Sequence, residues 1–130
     1  MRGVVVVAAL VLAGCNPQAP VQTAPTSGQS FSYASKASDT VNTYTCAAKG
    51  PGGGTAEARS KAMHAFFEAE TTAFAARQTA DMMQAYGTND PAKIKASEQR
   101  LDKAADAFAD RMYSEGDAKF KCVLSSSKDI

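Results

Sequence analysis

The sequence has few of the side chains that enzymes most often use for acid-base chemistry at neutral pH. It contains one histidine and no tryptophan, and its three cysteines form no Cys-x-x-Cys pair. Fourteen lysines and arginines against thirteen acidic residues leave a net charge of +1, so the basic excess behind non-specific binding to nucleic acid is missing. A chain of 130 residues has room for one small domain. We therefore expect neither a multidomain enzyme nor a nucleic-acid-binding protein.

The first fourteen residues have the three parts of a secretory signal. A positive charge at Arg2 is followed by an unbroken apolar run over residues 4–12 and then by the small residues Ala13 and Gly14. The run is too short for a membrane-spanning helix, which needs about 20 apolar residues. We predict that residues 1–14 form a signal peptide that is removed.

Leu12, Ala13, Gly14 and Cys15 resemble the lipobox of bacterial lipoproteins. The resemblance covers only this leader, and the rest of the chain resembles no family that we recognise. It implies that the Cys15 thiol receives a diacylglycerol and that two or more acyl chains hold the protein on a membrane. In Gram-negative lipoproteins an Asp after the cysteine favours the inner membrane, so Asn16 implies the outer membrane. The expected location is the cell envelope, facing the periplasm or the cell surface.

Residues 15–38 are predicted to be the lipidated N-terminus and a flexible linker. Three prolines stand among Gln, Ala, Thr and Ser, a composition that buries too little apolar surface to offset the entropy of ordering. Phe31 and Tyr33 are exceptions. They either contact a partner or, as we favour, begin the folded region.

The remaining residues, 39–130, are predicted to form a helical domain. Its first helix covers about residues 56–86, after an N-cap at Thr55 and a glycine-rich segment that cannot be helical. Side chains of one helical face recur there at steps of three and four residues: Met63, Phe67, Glu70, Phe74, Arg77 and Asp81.

The second helix is predicted over about residues 91–115. Asp90 is its expected cap, Pro91 occupies the first turn, and Gly116 is expected to end it. The short connection between the two helices favours an antiparallel hairpin. Because such a hairpin buries little apolar area, a domain of this size needs a further constraint.

Two cysteines supply a candidate for that constraint once Cys15 is assigned to lipid. Cys46 precedes the first helix and Cys122 follows the second, so an antiparallel hairpin brings them together. Export to an oxidising compartment favours a disulfide between them, worth about 4 to 5 kcal/mol in the chain-entropy model. The alternatives are metal ligation and redox catalysis, for which neither a zinc ligand set nor a Cys-x-x-Cys motif is present.

The segments beside these cysteines leave two possibilities open. Residues 40–45 alternate polar and apolar side chains and residues 120–124 are partly apolar, so they either pair as strands or continue as helix and coil. An isolated pair of strands is marginal in water. The predicted fold class is therefore mainly all-α: an antiparallel two-helix hairpin tied by a disulfide and preceded by a disordered linker.

Three charged residues of the first helix are candidates for contact with a partner. Glu70, Arg77 and Asp81 share a stripe with Phe67 and Phe74, so some charge is expected to face the second helix. One alternative is that they lie at the edge of the stripe with their charged ends in water. Another is self-association, because polar groups in an apolar seam set the register of helical oligomers.

Other candidate sites are weaker. His64 and Glu68 lie four residues apart, but two ligands do not make a metal site, and we favour a solvated or partly packed histidine. The serines at 125–127 belong to no motif with a base and an orienting acid, and the glycines at 50–54 lack the lysine of a phosphate-binding loop. We expect no catalytic residues, no metal and no cofactor.

The sequence thus favours a non-enzymatic envelope lipoprotein that contacts another protein, as an accessory of an envelope or secretion assembly. The alternative is an immunity, inhibitor or exclusion lipoprotein that neutralises a toxin, a phage or a conjugation machinery. The expected partners are the membrane, through the lipid anchor, and either another protein or a second copy of the chain.

Overall fold

The computed structural model describes residues 28–130, so the predicted signal peptide, Cys15 and residues 16–27 of the predicted linker lie outside the described part. The elements are β1 (Gln29–Ala34), β2 (Thr40–Cys46), a short 3-10 turn (Pro51–Gly53), α1 (Ala56–Gly87), α2 (Pro91–Phe120) and β3 (Cys122–Asp129). The all-α prediction is wrong, because a three-stranded antiparallel sheet accompanies the two helices.

The sheet has the order β1-β2-β3, with β2 in its centre. Of the two possibilities for the segments beside the cysteines, the structure shows strand pairing: Cys46 lies opposite Cys122, and Thr40 lies opposite Asp129. A bulge interrupts the register of β2 and β3 between Thr43 and Tyr44. The third strand supplies the partner that two short strands alone would lack.

The prediction of a flexible linker up to residue 38 fails for β1. Phe31 and Tyr33 are half-buried and pack against the core, as expected for residues that begin the folded region. Ser30 and Ser32 alternate with them on the other face of the sheet and hydrogen-bond to Thr45 (3.0 Å) and Thr43 (2.7 Å). Two half-buried aromatic rings and a full ladder with β2 offset the entropy that the composition alone suggested would dominate.

The starts of both helices agree with the sequence analysis. The Thr55 hydroxyl accepts a hydrogen bond from the amide of Ala58 (3.1 Å) at the start of α1. The Asp90 carboxylate accepts one from the amide of Ala92 (3.0 Å) at the start of α2, where Pro91 occupies the first position. These caps satisfy amides that have no partner inside the helix.

The predicted end of α2 is wrong, because Gly116 lies inside the helix. A Cβ atom at Gly116 would stand 2.6 Å from the Cε atom of Met63, so the glycine lets α1 pack closely against α2. The helix continues to Phe120 and ends at Lys121, which adopts a left-handed conformation with φ of 55°.

The main core lies where the sheet meets the start of α1 and the end of α2. Its buried cluster consists of Tyr44, Cys46, Ala56, Met63 and Cys122. The predicted disulfide between Cys46 and Cys122 is confirmed, and both cysteines are fully buried. The bond joins the central strand to β3 and closes a loop of 76 positions around both helices.

Arg59 connects three elements at the edge of this core. It is only 5% exposed, and its guanidinium donates to the carbonyl oxygens of Gly54 (2.9 Å), Phe120 (2.8 Å) and Ala47. Phe120 is the last residue of α2, where the helix dipole favours a cation. The buried charge is therefore met by carbonyl groups from the start of α1, the end of α2 and the segment after β2.

Candidate interaction surface

The helical hairpin extends well beyond the sheet. With 32 residues, α1 is about 48 Å long, whereas a strand of 8 residues spans about 27 Å. In the distal half of the hairpin the two helices pack against each other. The rings of Phe74 and Phe108 stack with their centroids 4.6 Å apart, and Ala85 and Ser97 are buried.

Two of the three predicted contact residues serve the hairpin itself. Glu70 pairs with Arg111, and Asp81 pairs with Arg100 at 2.8 Å. The Asp81 carboxylate also accepts a hydrogen bond from the buried Ser97 hydroxyl (3.0 Å). The hydrogen bond from Arg100 is the main reason that the pKa of Asp81 is lowered, and the one that Arg111 donates to Glu70 is the main reason that the pKa of Arg111 is raised. A role in binding a partner stays a prediction for both acids.

Arg77, the third predicted residue, is placed differently. Its side chain is exposed, and it makes no ion pair with any residue of the described part of the chain. It lies between Glu70 and Asp81 along α1 and, unlike them, forms no ion pair with α2. Arg77 thus leaves a positive charge on the surface of a helix that has few other charges there.

One side of α1, next to the side that packs on α2, is a continuous apolar face, which we call the outer face. Its positions follow one another at alternating steps of four and three residues, the spacing of a helix that packs along a second helix: Ala62, Phe66, Ala69, Ala73, Ala76, Ala80, Met83 and Gly87. Phe66 is half-buried beside Phe120, and the other seven positions are exposed, with Met83 at 70%. Within residues 28–130 nothing covers this face along the distal half of the hairpin.

The charge distribution sets the outer face apart from the surface of α2. Residues 71–87 of α1 include two charged side chains, Arg77 and Asp81, and Asp81 is paired with α2. Residues 91–110 of α2 include eight charged side chains. One side of the distal hairpin is therefore strongly charged, and the other has few charged side chains.

A groove of about 510 Å³ lies between the sheet and α1, lined by Phe67 and alanines as well as by polar side chains. Glu68 accepts hydrogen bonds there from the Ser35 hydroxyl (2.5 Å) and the Lys36 amide (3.0 Å), and the Ser35 bond is the main reason that the pKa of Glu68 is lowered. The Asn42 side chain accepts a hydrogen bond from Ser127 (2.6 Å). These polar groups of the groove bind each other across the fold, an arrangement typical of a structural network.

His64 connects α1 to the sheet and is half-buried, so of the two states expected from the sequence, solvated or partly packed, the structure shows the second. Its ring stacks on Tyr33 with centroids 5.3 Å apart, and its Nδ1 atom lies 2.8 Å from the Tyr44 hydroxyl. Burial raises the pKa of Tyr44 far above its ordinary value. Glu68 lies 3.9 Å from the other ring nitrogen. No group of three His, Cys, Asp or Glu side chains that could hold a metal ion occurs in residues 28–130.

Comparison with known proteins identifies no relative: no family model matches the sequence, and no significant similarity to a curated protein or a solved structure was found. Among the described residues, neither helix is both long enough and apolar enough to cross a bilayer.

The outer face is the feature that the sequence analysis missed. The sequence analysis assigns the helical period to the stripe that contains Phe67 and Phe74. Phe74 stacks on Phe108 of α2, and Phe67 contacts Tyr44 of the sheet. A second stripe of alanines with the same period is present in the sequence at positions 62, 69, 73, 76 and 80. Alanine is also the best helix former. Helix formation alone therefore explains these alanines, and the sequence does not mark them as a surface.

Proposed function

We propose that this protein is an envelope lipoprotein, anchored through Cys15, whose helical hairpin is a non-enzymatic module for binding protein. The observation that carries the proposal is the outer face of α1. It is apolar and exposed over the distal half of the hairpin. Soluble domains usually scatter exposed apolar side chains singly, and a continuous apolar patch is typical of an interaction site.

The dimensions of the outer face suit a helical partner. From Ala62 to Gly87 it runs for 25 steps along α1, which is about 38 Å. Most of its side chains are methyl groups, which allow two helices to approach closely. A partner that lays a helix along this face can cover it in register, with Phe66 and Met83 as the large contacts.

The anchor keeps this surface near the membrane. Gly28 follows Cys15 by thirteen positions, and even a fully extended chain of that length spans only about 45 Å. The hairpin is therefore confined to a layer close to the bilayer, where the partner is expected. Such confinement raises the effective concentration of two components held on the same surface.

Site-specific photo-crosslinking in intact cells tests the proposal. A photoreactive amino acid at Ala76 in the outer face of the full lipoprotein is expected to give protein adducts that mass spectrometry can identify. The matched control is the same amino acid at Lys103, on the charged surface of α2. Equal adducts from both positions, or none from Ala76, would contradict the proposal, and adducts with an imported toxin or phage protein would favour the immunity alternative.

A further inference from the structure

The outer face has the same pattern of side chains in both directions along α1. Its two large side chains, Phe66 and Met83, stand at equal distances from the midpoint between residues 74 and 75. The remaining positions also have counterparts at equal distances from this midpoint: Ala62 with Gly87, Ala69 with Ala80, and Ala73 with Ala76. A two-fold rotation about this midpoint therefore sets the two large side chains of one copy against those of the other, and small residues against small residues.

We propose that the outer face binds the outer face of a second copy of this chain, with the two α1 helices antiparallel. The proposal rests on the proposed function, in that it names the partner of the same surface. The two-fold axis passes the midpoint between residues 74 and 75. Phe66 of each copy then meets Met83 of the other, a favourable sulfur-aromatic contact, and alanines fill the layers between these two contacts.

The spacing fits such an antiparallel pair in every layer. If Phe66 and Ala73 occupy a positions of a heptad, Ala69 and Ala76 occupy d positions. The two-fold axis then brings each a position opposite a d position of the second copy. Phe66 therefore meets Met83 of the second copy and not a second Phe66. The small central layers let the helix axes come within about 8 Å of each other.

The charges beside the outer face are complementary under the same symmetry. Glu70 and Arg77 lie on one edge of this face, in corresponding places of successive heptads. The antiparallel register puts Glu70 of one copy next to Arg77 of the second copy, twice across the axis, and puts Thr72 next to Thr79 on the other edge. Arg77, which has no ion pair among residues 28–130, is thereby placed beside a carboxylate whose Oε1 atom already accepts a hydrogen bond from Arg111 of its own copy, and it can bind the second oxygen.

A parallel pair fits less well. It would stack Phe66 on Phe66 and Met83 on Met83 and would place Arg77 beside Thr72, with no acidic partner. In a parallel pair the symmetry of the outer face would not affect which residues meet. The antiparallel arrangement uses both the order of the apolar residues and the positions of the two charges.

The contact area indicates that the dimer is weak in dilute solution. A strip about 38 Å long and roughly 10 Å wide covers on the order of 400 Å² of each copy, at the low end for specific interfaces. Anchoring both copies to one membrane raises their local concentration. We therefore expect the dimer on membranes and its dissociation after dilution into detergent.

Cysteine crosslinking of the full lipoprotein in proteoliposomes tests the pairing and its direction. Ala69→Cys and Ala80→Cys are prepared separately, mixed, and treated with a short bismaleimide before a reducing gel. The mixture is expected to give a covalent dimer. Each variant alone is expected to give little, because its two thiols lie 11 positions apart along the seam, about 16 Å. The parent protein, which lacks the introduced thiols, is the control.

The outcomes separate this inference from the proposed function. Dimers from each single variant would show a parallel pair and overturn the inference. The absence of any dimer, while photoreactive Ala76 still captures a different protein, would overturn self-association and leave the proposed function standing. If neither experiment gives an adduct from the outer face, both are wrong.

Charge reversal gives an independent check of the register. Arg77→Glu places two acidic groups together on each side of the axis, and we expect the dimer affinity measured from crosslinking at a series of protein-to-lipid ratios to fall by about tenfold. Lys103→Glu makes the same change of charge on α2 and is expected to leave the affinity unchanged. An unaltered affinity for Arg77→Glu would overturn the proposed register.

Discussion

Lys121 holds one of two left-handed conformations found at non-glycine positions in residues 28–130, the other being Asn89. Asparagine tolerates this region, whereas lysine adopts it at a cost of about 1 kcal/mol. The conformation is needed because it ends α2 and turns the chain directly into Cys122, the first residue of β3. The domain therefore retains some strain at the residue before its disulfide.

Lys121→Gly is expected to stabilise the domain by about 1 kcal/mol, because glycine adopts a positive φ without steric cost. The free energy of unfolding from denaturant titration measures the change. Lys119→Gly is the matched control: it lies in the last turn of α2 with helical geometry and should destabilise the domain by about 1 kcal/mol. Destabilisation by both variants would show that the left-handed conformation is not a cost.

Glu68 should make the stability of the domain depend on acid pH. Its pKa is lowered in the folded protein, chiefly by the Ser35 hydroxyl. Such a group stabilises the fold fully above its ordinary pKa of about 4.3, and this contribution disappears as the pH falls through the lower folded value.

The variant Glu68→Gln removes the titrating group and nearly preserves its shape. We expect the wild-type protein to be the more stable at pH 7 and the difference in unfolding free energy to shrink below about pH 4. Thermal or urea unfolding of both proteins at pH values from about 2 to about 7 measures this difference in unfolding free energy. A difference that does not change with pH would contradict the assigned role of the carboxylate.

Some individual residues could be assigned from the sequence and others could not. Thr55, Asp90 and the pair Cys46–Cys122 were predicted correctly, because caps depend on local chemistry and the cysteines lie at the two ends of a hairpin. Gly116 was not, because the reason for a glycine there is the side chain of Met63, 53 positions away in the chain. Sequence patterns reveal local contacts, and this packing is not local.

The strands also depend on contacts between residues that are distant in the sequence. The alternation of serine with Phe31 and Tyr33 is a strand pattern, but it is two aromatic residues long and lies beside a proline-rich segment. The end of β3 is a polar run of three serines that has no apolar period at all. It becomes a strand because β2 offers it a hydrogen-bonding edge, which no property of the run itself predicts.

Arg59 holds α1, α2 and the end of β2 together, so its loss should affect all three. Arg59→Ala leaves the carbonyls of Gly54, Phe120 and Ala47 without their donor. We expect a loss of about 3 kcal/mol in unfolding free energy. Lys61→Ala, an exposed site two positions along the same helix, is the control and should change it by about 0.5 kcal/mol or less. Equal effects would mean that the guanidinium contacts contribute little.

The domain as folded depends on a covalent constraint. Its buried core is a small cluster at one end of a long hairpin, and the disulfide closes a loop of 76 positions around both helices. Such a domain has little apolar surface to bury, and small domains of this kind commonly rely on disulfides when they are exported.

Cys46→Ala/Cys122→Ala is expected to lose about 4 to 5 kcal/mol of stability, the value that the chain-entropy model gives for this loop. Alanine is used because both sites are fully buried and a serine hydroxyl there would add its own cost. Comparison of denaturant midpoints for the double variant and the parent measures the loss. A loss below about 1 kcal/mol would mean that the core alone maintains the fold.

The proposed lipoprotein combines a lipid anchor at Cys15 with a disulfide-closed base and a projecting hairpin that has one apolar face. The proposed function requires that the domain works while attached to a membrane, because sharing a surface raises the effective concentration of two components that bind weakly along α1.

The most direct test of that claim is the intact mass of the protein extracted from membranes, measured before and after reduction. We expect a chain that begins at Cys15 and carries a diacylglycerol, with a gain of two hydrogens on reduction of the bond between Cys46 and Cys122. An unmodified chain that begins at Met1, recovered from the soluble fraction with all three thiols free, would contradict the account.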